Sequence, residues 1–127
     1  MTTASLAGLT IMVVEDDFLA ALELKRLVED RAGTVAGPVG RLEQAQKLAK
    51  DARLDGAIMD VKLDGSVSLP LADHLIARGV PVVLVTGYDI STLPARFADT
   101  PRLPKPFSEV NFDEMVTQVF APGATPC

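Results

Sequence analysis

Four short clusters in this chain carry residue types that could do chemistry. They are the acids Glu15-Asp16-Asp17, a lone carboxylate at Asp60, the hydroxyl and bare backbone of Thr86-Gly87, and the ammonium of Lys105 ahead of Pro106. Singly, each has an ordinary explanation. Asp16 or Asp17 could cap a helix. Asp60 could sit in a turn, Thr86 could bond its own backbone, and Lys105 could be a solvated charge beside a turn proline. Jointly these explanations fail if the fold gathers the clusters at one edge. Two unit charges ~4 Å apart interact by about 4 kcal/mol even at an effective dielectric near 20. Three gathered acids therefore need a cation or a proton to offset the cost. Lys105 supplies one charge, but carboxylate oxygen suits a hard divalent ion such as Mg²⁺ better. With Thr86-Gly87 offering donors to an anion, the set reads as a phosphoryl site: a nucleophile, a metal and charge-stabilising groups.

A parallel sheet would bring the four clusters together. Leu9 to Val14 is a near-continuous apolar run, the mark of a strand covered on both faces. A helix follows, with Ala20, Leu24, Leu27 and Val28 on one stripe, and Gly33 stops it. Thr34 to Val39 is a short second strand, and Leu42 to Ala52 an amphipathic helix. Gly56 to Val61 is the central strand, with Asp60 near its C-terminal end, and a loop is expected from Lys62 to Val67. Ser68 and Pro70 open a third helix with the stripe Leu71, Leu75 and Ile76. Val80 to Val85 is the most strand-like segment, with Pro81 confined to its start. Ile90 to Asp99, interrupted by Pro94, predicts a short fourth helix, and Arg102-Leu103 a very short fifth strand. A last helix carries Phe112, Met115, Val116 and Val119. Five strands alternating with helices imply an α/β fold, a doubly wound parallel sheet with helices on both faces. Every cluster then falls at the carboxyl edge, where ligands of such sheets bind.

Composition narrows the function. The chain has 127 residues, 48% apolar and 23% charged, which predicts one globular domain over 1–127 with its core at about 9–120 and both termini frayed. With 17 acids against 12 bases and no basic block, direct binding to nucleic acid is not expected. The one cysteine, Cys127, excludes a disulfide scaffold and a cysteine zinc site. No apolar run is long enough to span a bilayer and the N-terminus has no secretory pattern, so a cytoplasmic protein is expected.

In order, Val13-Val14-Glu15-Asp16-Asp17, Ile58-Met59-Asp60, Val85-Thr86-Gly87 and Lys105-Pro106-Phe107 resemble the signature of response-regulator receiver domains, over about Leu9 to Val119. That resemblance implies a flavodoxin-like fold of five strands in the order 2-1-3-4-5. It implies that Asp60 accepts a phosphoryl group from a histidine kinase or a histidine phosphotransfer protein. It implies Mg²⁺ held by Asp16, Asp60 and the backbone carbonyl of Lys62, with Glu15 acting through a metal-bound water. Thr86 would hydrogen-bond the phosphoryl group, Lys105 would pair with it, and the Lys105-Pro106 bond would be cis.

The pattern departs from the family in places. Receivers usually carry an aromatic residue three positions before the lysine, where this chain has Arg102. The stretch Leu84-Val85-Thr86-Gly87-Tyr88 resembles single-domain receivers named for Phe-Ala-Thr-Gly-(Gly/Tyr), and Tyr88 either takes over the signalling role or packs on the fourth helix. Lys62, two residues after Asp60, is expected to influence the lifetime of the phosphoryl group. His74 is assigned no role. The face of the fourth helix, fifth strand and fifth helix, with Leu93 and Phe97 as candidates, would be the partner surface. Three rivals remain: a pseudo-receiver that only binds partners, a nucleotide- or flavin-binding domain, and an aspartyl phosphohydrolase. A flavin or nucleotide site would want a Gly-rich loop where the three acids stand. A phosphohydrolase would usually want a second acid at Lys62.

Overall fold

The computed structural model describes residues 4–63, 66–87 and 93–120. The chain runs β1 (Thr10–Val14), α1 (Phe18–Glu29), β2 (Thr34–Val39), α2 (Leu42–Asp51), β3 (Gly56–Asp60), β4 (Lys62–Leu63), β5 (Ser66–Val67), α3 (Leu69–Ala77), β6 (Val82–Thr86), a 3₁₀ turn (Ala95–Phe97), β7 (Arg102–Pro104) and α4 (Glu109–Val119). The main sheet has the order β2-β1-β3-β6-β7, every pair parallel. Counted without the β4–β5 hairpin, this is the expected 2-1-3-4-5.

The apolar runs of β1, β3 and β6 become the three inner strands because alternate residues enter opposite cores. Ile11, Val13, Ile58, Val83 and Val85 pack under α1 and α4 with Leu24, Leu27, Phe112 and Val116. Met12, Val14, Ala57, Met59, Val82 and Leu84 pack under α2 and α3 with Ala45, Ala49, Ala72 and Leu75. The core begins before position 9, since Leu6 is fully buried. Gly33 is needed at the end of α1, where a Cβ would stand 2.8 Å from Val28 Cγ1 and 2.9 Å from Leu6 Cβ.

Five expectations are corrected. The loop at Lys62 to Val67 contains a small antiparallel hairpin, β4 against β5, and β3 ends at Asp60 one residue early. Over 93–99 there is no fourth α-helix, only the 3₁₀ turn, while 90–92 lie outside the described residues. The missing N–H and fixed φ of a proline disfavour a helix interior, and Pro94 precedes the turn. Ile76 is 45% exposed; the buried face of α3 is Leu69, Leu71, Ala72 and Leu75. Phe97 is buried, so it cannot serve as a surface contact; Leu93 is partly buried against the same core. The expected fraying of the tail concerns residues beyond 120, outside those described.

Candidate functional site

The carboxyl ends of β1, β3, β6 and β7 meet at one rim, and the sheet register decides what faces what. Val14 pairs with Met59, so Glu15 follows β1 where Asp60 ends β3. Asp60 pairs with Val85, so Thr86 stands one residue beyond on the adjacent strand. Thr86 pairs in turn with Pro104, and Lys105 N donates to Thr86 O at 2.9 Å, which fixes the lysine backbone to the end of β6. The Lys105-Pro106 peptide is cis, as expected; Gly37-Pro38 is also cis, which the sequence did not signal.

The three consecutive acids divide the work. Asp17 caps α1, its Oδ1 accepting from Leu19 N at 3.0 Å and Ala20 N at 3.5 Å. That leaves Glu15 and Asp16 for the rim. Glu15 is buried, and its Oε2 accepts from Asp17 N at 3.0 Å. Gly40 makes room for this turn, since a Cβ there would lie 3.3 Å from Asp16 Cα. Ligand oxygens of Glu15, Asp16 and Asp60 come within 4.8 Å of one another.

Lys105 Nζ bridges two of these acids, 2.9 Å from Asp60 Oδ2 and 2.9 Å from Glu15 Oε1. It donates a hydrogen bond to Asp60 Oδ2. It faces Glu15 Oε1 off the line of a hydrogen bond, so that buried oxygen has an ion-pair partner and no well-aligned donor. Burial pushes the Glu15 carboxyl up, as does the Asp60 charge, more strongly than Lys105 and the Asp17 N–H pull it down. Burial lowers the affinity of Lys105 for its proton, but the Glu15 and Asp60 carboxylates against the ammonium outweigh it and hold the group above its ordinary range. Lys105 is thus charged at neutral pH, between the two carboxylates it bridges.

The raised Glu15 carboxyl makes a pH prediction. Between the ordinary value of 4.5 and its raised folded value, the native state holds more protons than the unfolded state. Stability from this group is therefore present below 4.5 and lost as pH rises through the folded value. In metal-free protein, Glu15→Gln should lack that decline, so the gap between the two urea midpoints should change with pH above 4.5. A gap independent of pH would contradict the assignment.

The donor set suits Mg²⁺: carboxylate oxygens only, one of them buried without a well-aligned donor. The Lys62 backbone lies in β4, immediately past Val61. Beside Lys105 a cleft of about 610 Å³ opens between α1 and the 105–107 segment, lined by Asp17, Leu19, Gly87 and Phe107. His74 is exposed on α3, away from the rim. Tyr88 lies outside the described residues. Arg102 does not fill an aromatic's place; its guanidinium donates to Phe97 O and Ala98 O, both at 3.1 Å, tying β7 to the 3₁₀ turn.

Sequence reasoning missed one residue at the site. Ser68 was legible only as a helix opener, yet its hydroxyl lies 2.5 Å from the backbone oxygen of Asp60. Nothing in its spacing marks a contact eight positions back.

No family model matches the sequence. The chain is 33% identical to SdrG from Sphingomonas melonis Fr1, covering 92% of this chain and 97% of that one with a TM-score of 0.77. It is 35% identical to the BeF3-activated conformation of SdrG from Pseudomonas melonis Fr1, covering 87% of this chain and 95% of that one with a TM-score of 0.75. The phyllosphere-induced regulator PhyR of Methylorubrum extorquens is 32% identical over 117 residues, 85% of this chain and 42% of PhyR. The transcriptional regulatory protein PdtaR of Mycobacterium tuberculosis is 26% identical over 102 residues, 77% of this chain and 50% of PdtaR. The chain thus spans half or less of the length of these two curated relatives.

Proposed function

The chain belongs to the response-regulator receiver family, and on that premise we propose that Asp60 accepts a phosphoryl group from a histidine kinase or histidine phosphotransfer protein. The observation that carries the reading is the lysine bridge: one ammonium at 2.9 Å from both Asp60 Oδ2 and Glu15 Oε1, at the rim of a three-acid cluster. Isolated structural ion pairs pair one acid with one base. Here one ammonium serves two acids at a rim that holds a third.

Asp16, Asp60 and the Lys62 carbonyl would hold Mg²⁺ directly, with Glu15 behind a bound water. Bound there, the ion supplies charge neutralisation for phosphoryl oxygens. The chain's own residues do the rest. Asp60 attacks phosphorus in line, forming an O–P bond as the P–N bond of phosphohistidine breaks and the imidazole leaves. Lys105, released from Asp60 Oδ2, pairs with a phosphoryl oxygen, while Glu15 keeps the ammonium in reach. Thr86, one register step from Asp60, offers its hydroxyl to a second oxygen. The donor approaches over the cleft beside Lys105, past the exposed Phe18 and Leu19 of α1. Output passes by protein contact or onward phosphotransfer, within a cytoplasmic signalling pathway.

Two tests bear on this reading. Mg²⁺ binds only the folded state, so it should raise the thermal midpoint, by about 2.7 kcal/mol of stability at a hundredfold excess over its dissociation constant. Asp16→Asn should remove most of that rise; an unchanged response would take Asp16 out of the site. Mass spectrometry with acetyl phosphate and Mg²⁺ should find one added phosphoryl group, and none at all would favour a binding module without phosphorylation. Lys62→Ala should change the rate at which that group is lost; equal rates would leave Lys62 without influence on its lifetime.

A further inference from the structure

We propose that Ser68 is a positioning residue for the phosphoacceptor, holding the main chain of Asp60 and Val61 so that the carboxylate and the Lys62 carbonyl keep one fixed relation. This rests on reading Asp60 as the phosphoacceptor and Lys62 O as a metal ligand.

A serine ahead of a helix ordinarily turns its hydroxyl forward, accepting from the second or third N–H of the helix. Ser68 precedes α3 and makes no such bond. Its φ and ψ of −88° and −1° are helical where a capping residue is ordinarily extended. Its side chain points the other way. The hydroxyl lies 2.5 Å from Asp60 O and 3.1 Å from Val61 O, one proton serving two carbonyls. Ser68 N donates to Val61 O at 2.9 Å. The residue is fully buried, so no water can replace the hydroxyl without rearrangement.

The surroundings explain why this corner needs a clamp. Val61 N reaches Val85 O only at 3.4 Å, beyond the usual 2.7–3.2 Å of a backbone hydrogen bond. The sheet therefore loosens its hold immediately past Asp60. The β4–β5 hairpin, pairing Lys62 with Val67 and Leu63 with Ser66, then turns the chain straight back. Ser68 closes that excursion onto its own start. It is anchored in turn by α3, since its carbonyl accepts from Leu71 N at 3.0 Å and Ala72 N at 3.1 Å. Rotation of the Asp60–Val61 peptide would swing the carboxylate and the Lys62 carbonyl apart, and the clamp opposes that rotation. Groups that orient metal ligands from behind typically influence affinity by about 10–100-fold.

The test compares wild type, Ser68→Ala, Ser68→Cys and Ser68→Thr. Mg²⁺ affinity is measured by titration without phosphodonor, labelling by acetyl phosphate at low and saturating Mg²⁺, and stability by urea. Ser68→Ala is expected to fold, to bind Mg²⁺ about 10–100-fold more weakly, and to lose labelling by a like factor at low Mg²⁺. Saturating Mg²⁺ should restore much of the labelling, and Ser68→Thr, which keeps the hydroxyl, should bind Mg²⁺ close to wild type. A Ser68→Ala protein with a lowered urea midpoint and unchanged Mg²⁺ affinity would overturn the proposal, leaving Ser68 purely structural. Should Ser68→Ala not fold, Ser68→Cys with its weak donor must bind Mg²⁺ more weakly than Ser68→Thr, and equal affinities would overturn it. Failure of wild type to take label, with Mg²⁺ affinities ordered as expected, would instead strike the phosphoacceptor reading.

Discussion

Replacing Asp60 with Asn is expected to abolish phosphoryl uptake from acetyl phosphate in the presence of Mg²⁺, by at least about a thousandfold, the scale on which loss of a nucleophile acts in other enzymes. The substitution keeps size and shape and removes only the charged oxygen that attacks. The amide oxygen can still accept from Lys105, so the 2.9 Å contact has a replacement. Asn also removes one negative charge from a rim where ligand oxygens of three acids lie within 4.8 Å. Metal-free Asp60→Asn should therefore be at least as stable as wild type, and lost labelling cannot be laid to unfolding. Intact-mass measurement reads the first effect and urea denaturation the second. Labelling of the variant within tenfold of wild type would remove Asp60 from the chemistry.

The largest stability effect is expected at Phe112. Its ring is fully buried under α4, packed with Leu24, Leu27, Ile58 and Val83. The Arg31 guanidinium lies 5.0 Å from the ring centroid, itself almost buried, donating to Leu27 O and paired with Asp113 at 3.2 Å. Truncating a buried Phe to Ala typically costs about 3–5 kcal/mol, and here it would also uncover a charged group. Against a total stability of about 5–15 kcal/mol this is a large fraction. The urea midpoint should fall by about 1 M or more, given slopes of about 1–3 kcal/mol per molar. Val110→Ala on the same helix, 66% exposed, should move it little. Equal shifts from the two would mean that α4 does not bury the face described.

How much of this was legible depended on whether a signal was local. The inner strands were plain because double-sided burial demands unbroken apolar runs, and Leu9 to Val14, Gly56 to Val61 and Val80 to Val85 supply them. The acid, hydroxyl and lysine clusters stood at strand ends, so a parallel sheet sufficed to place them on one rim. Which acid caps α1 was not legible, since Asp16 and Asp17 have equal capping chemistry; backbone direction gave it to Asp17. The β4–β5 hairpin escaped because two-residue strands have no periodicity. Phe97 was a partner-surface candidate only through the resemblance; the ring is buried and Arg96 reaches over it, its guanidinium 4.7 Å from the centroid, to pair with Asp73 at 2.8 Å. Ser68 was the deepest miss, because a hydroxyl that turns backward leaves the same letter as one that turns forward.

The two-sided sheet has a mechanical corollary at the rim. Asp60, two residues past Ile58, and Lys105, two past Leu103, fall by alternation on the face that α1 and α4 cover, whereas the main chain of Asp60 continues through the hairpin into α3 above the opposite compartment. Asp60 is thus tied to one interior through its side chain's ion pair and to the other through its main chain. A disturbance under α4 arrives at the nucleophile as a displaced charge; one under α3 arrives as a twisted peptide. A partner pressing on either flank would speak to the same carboxylate in a different language.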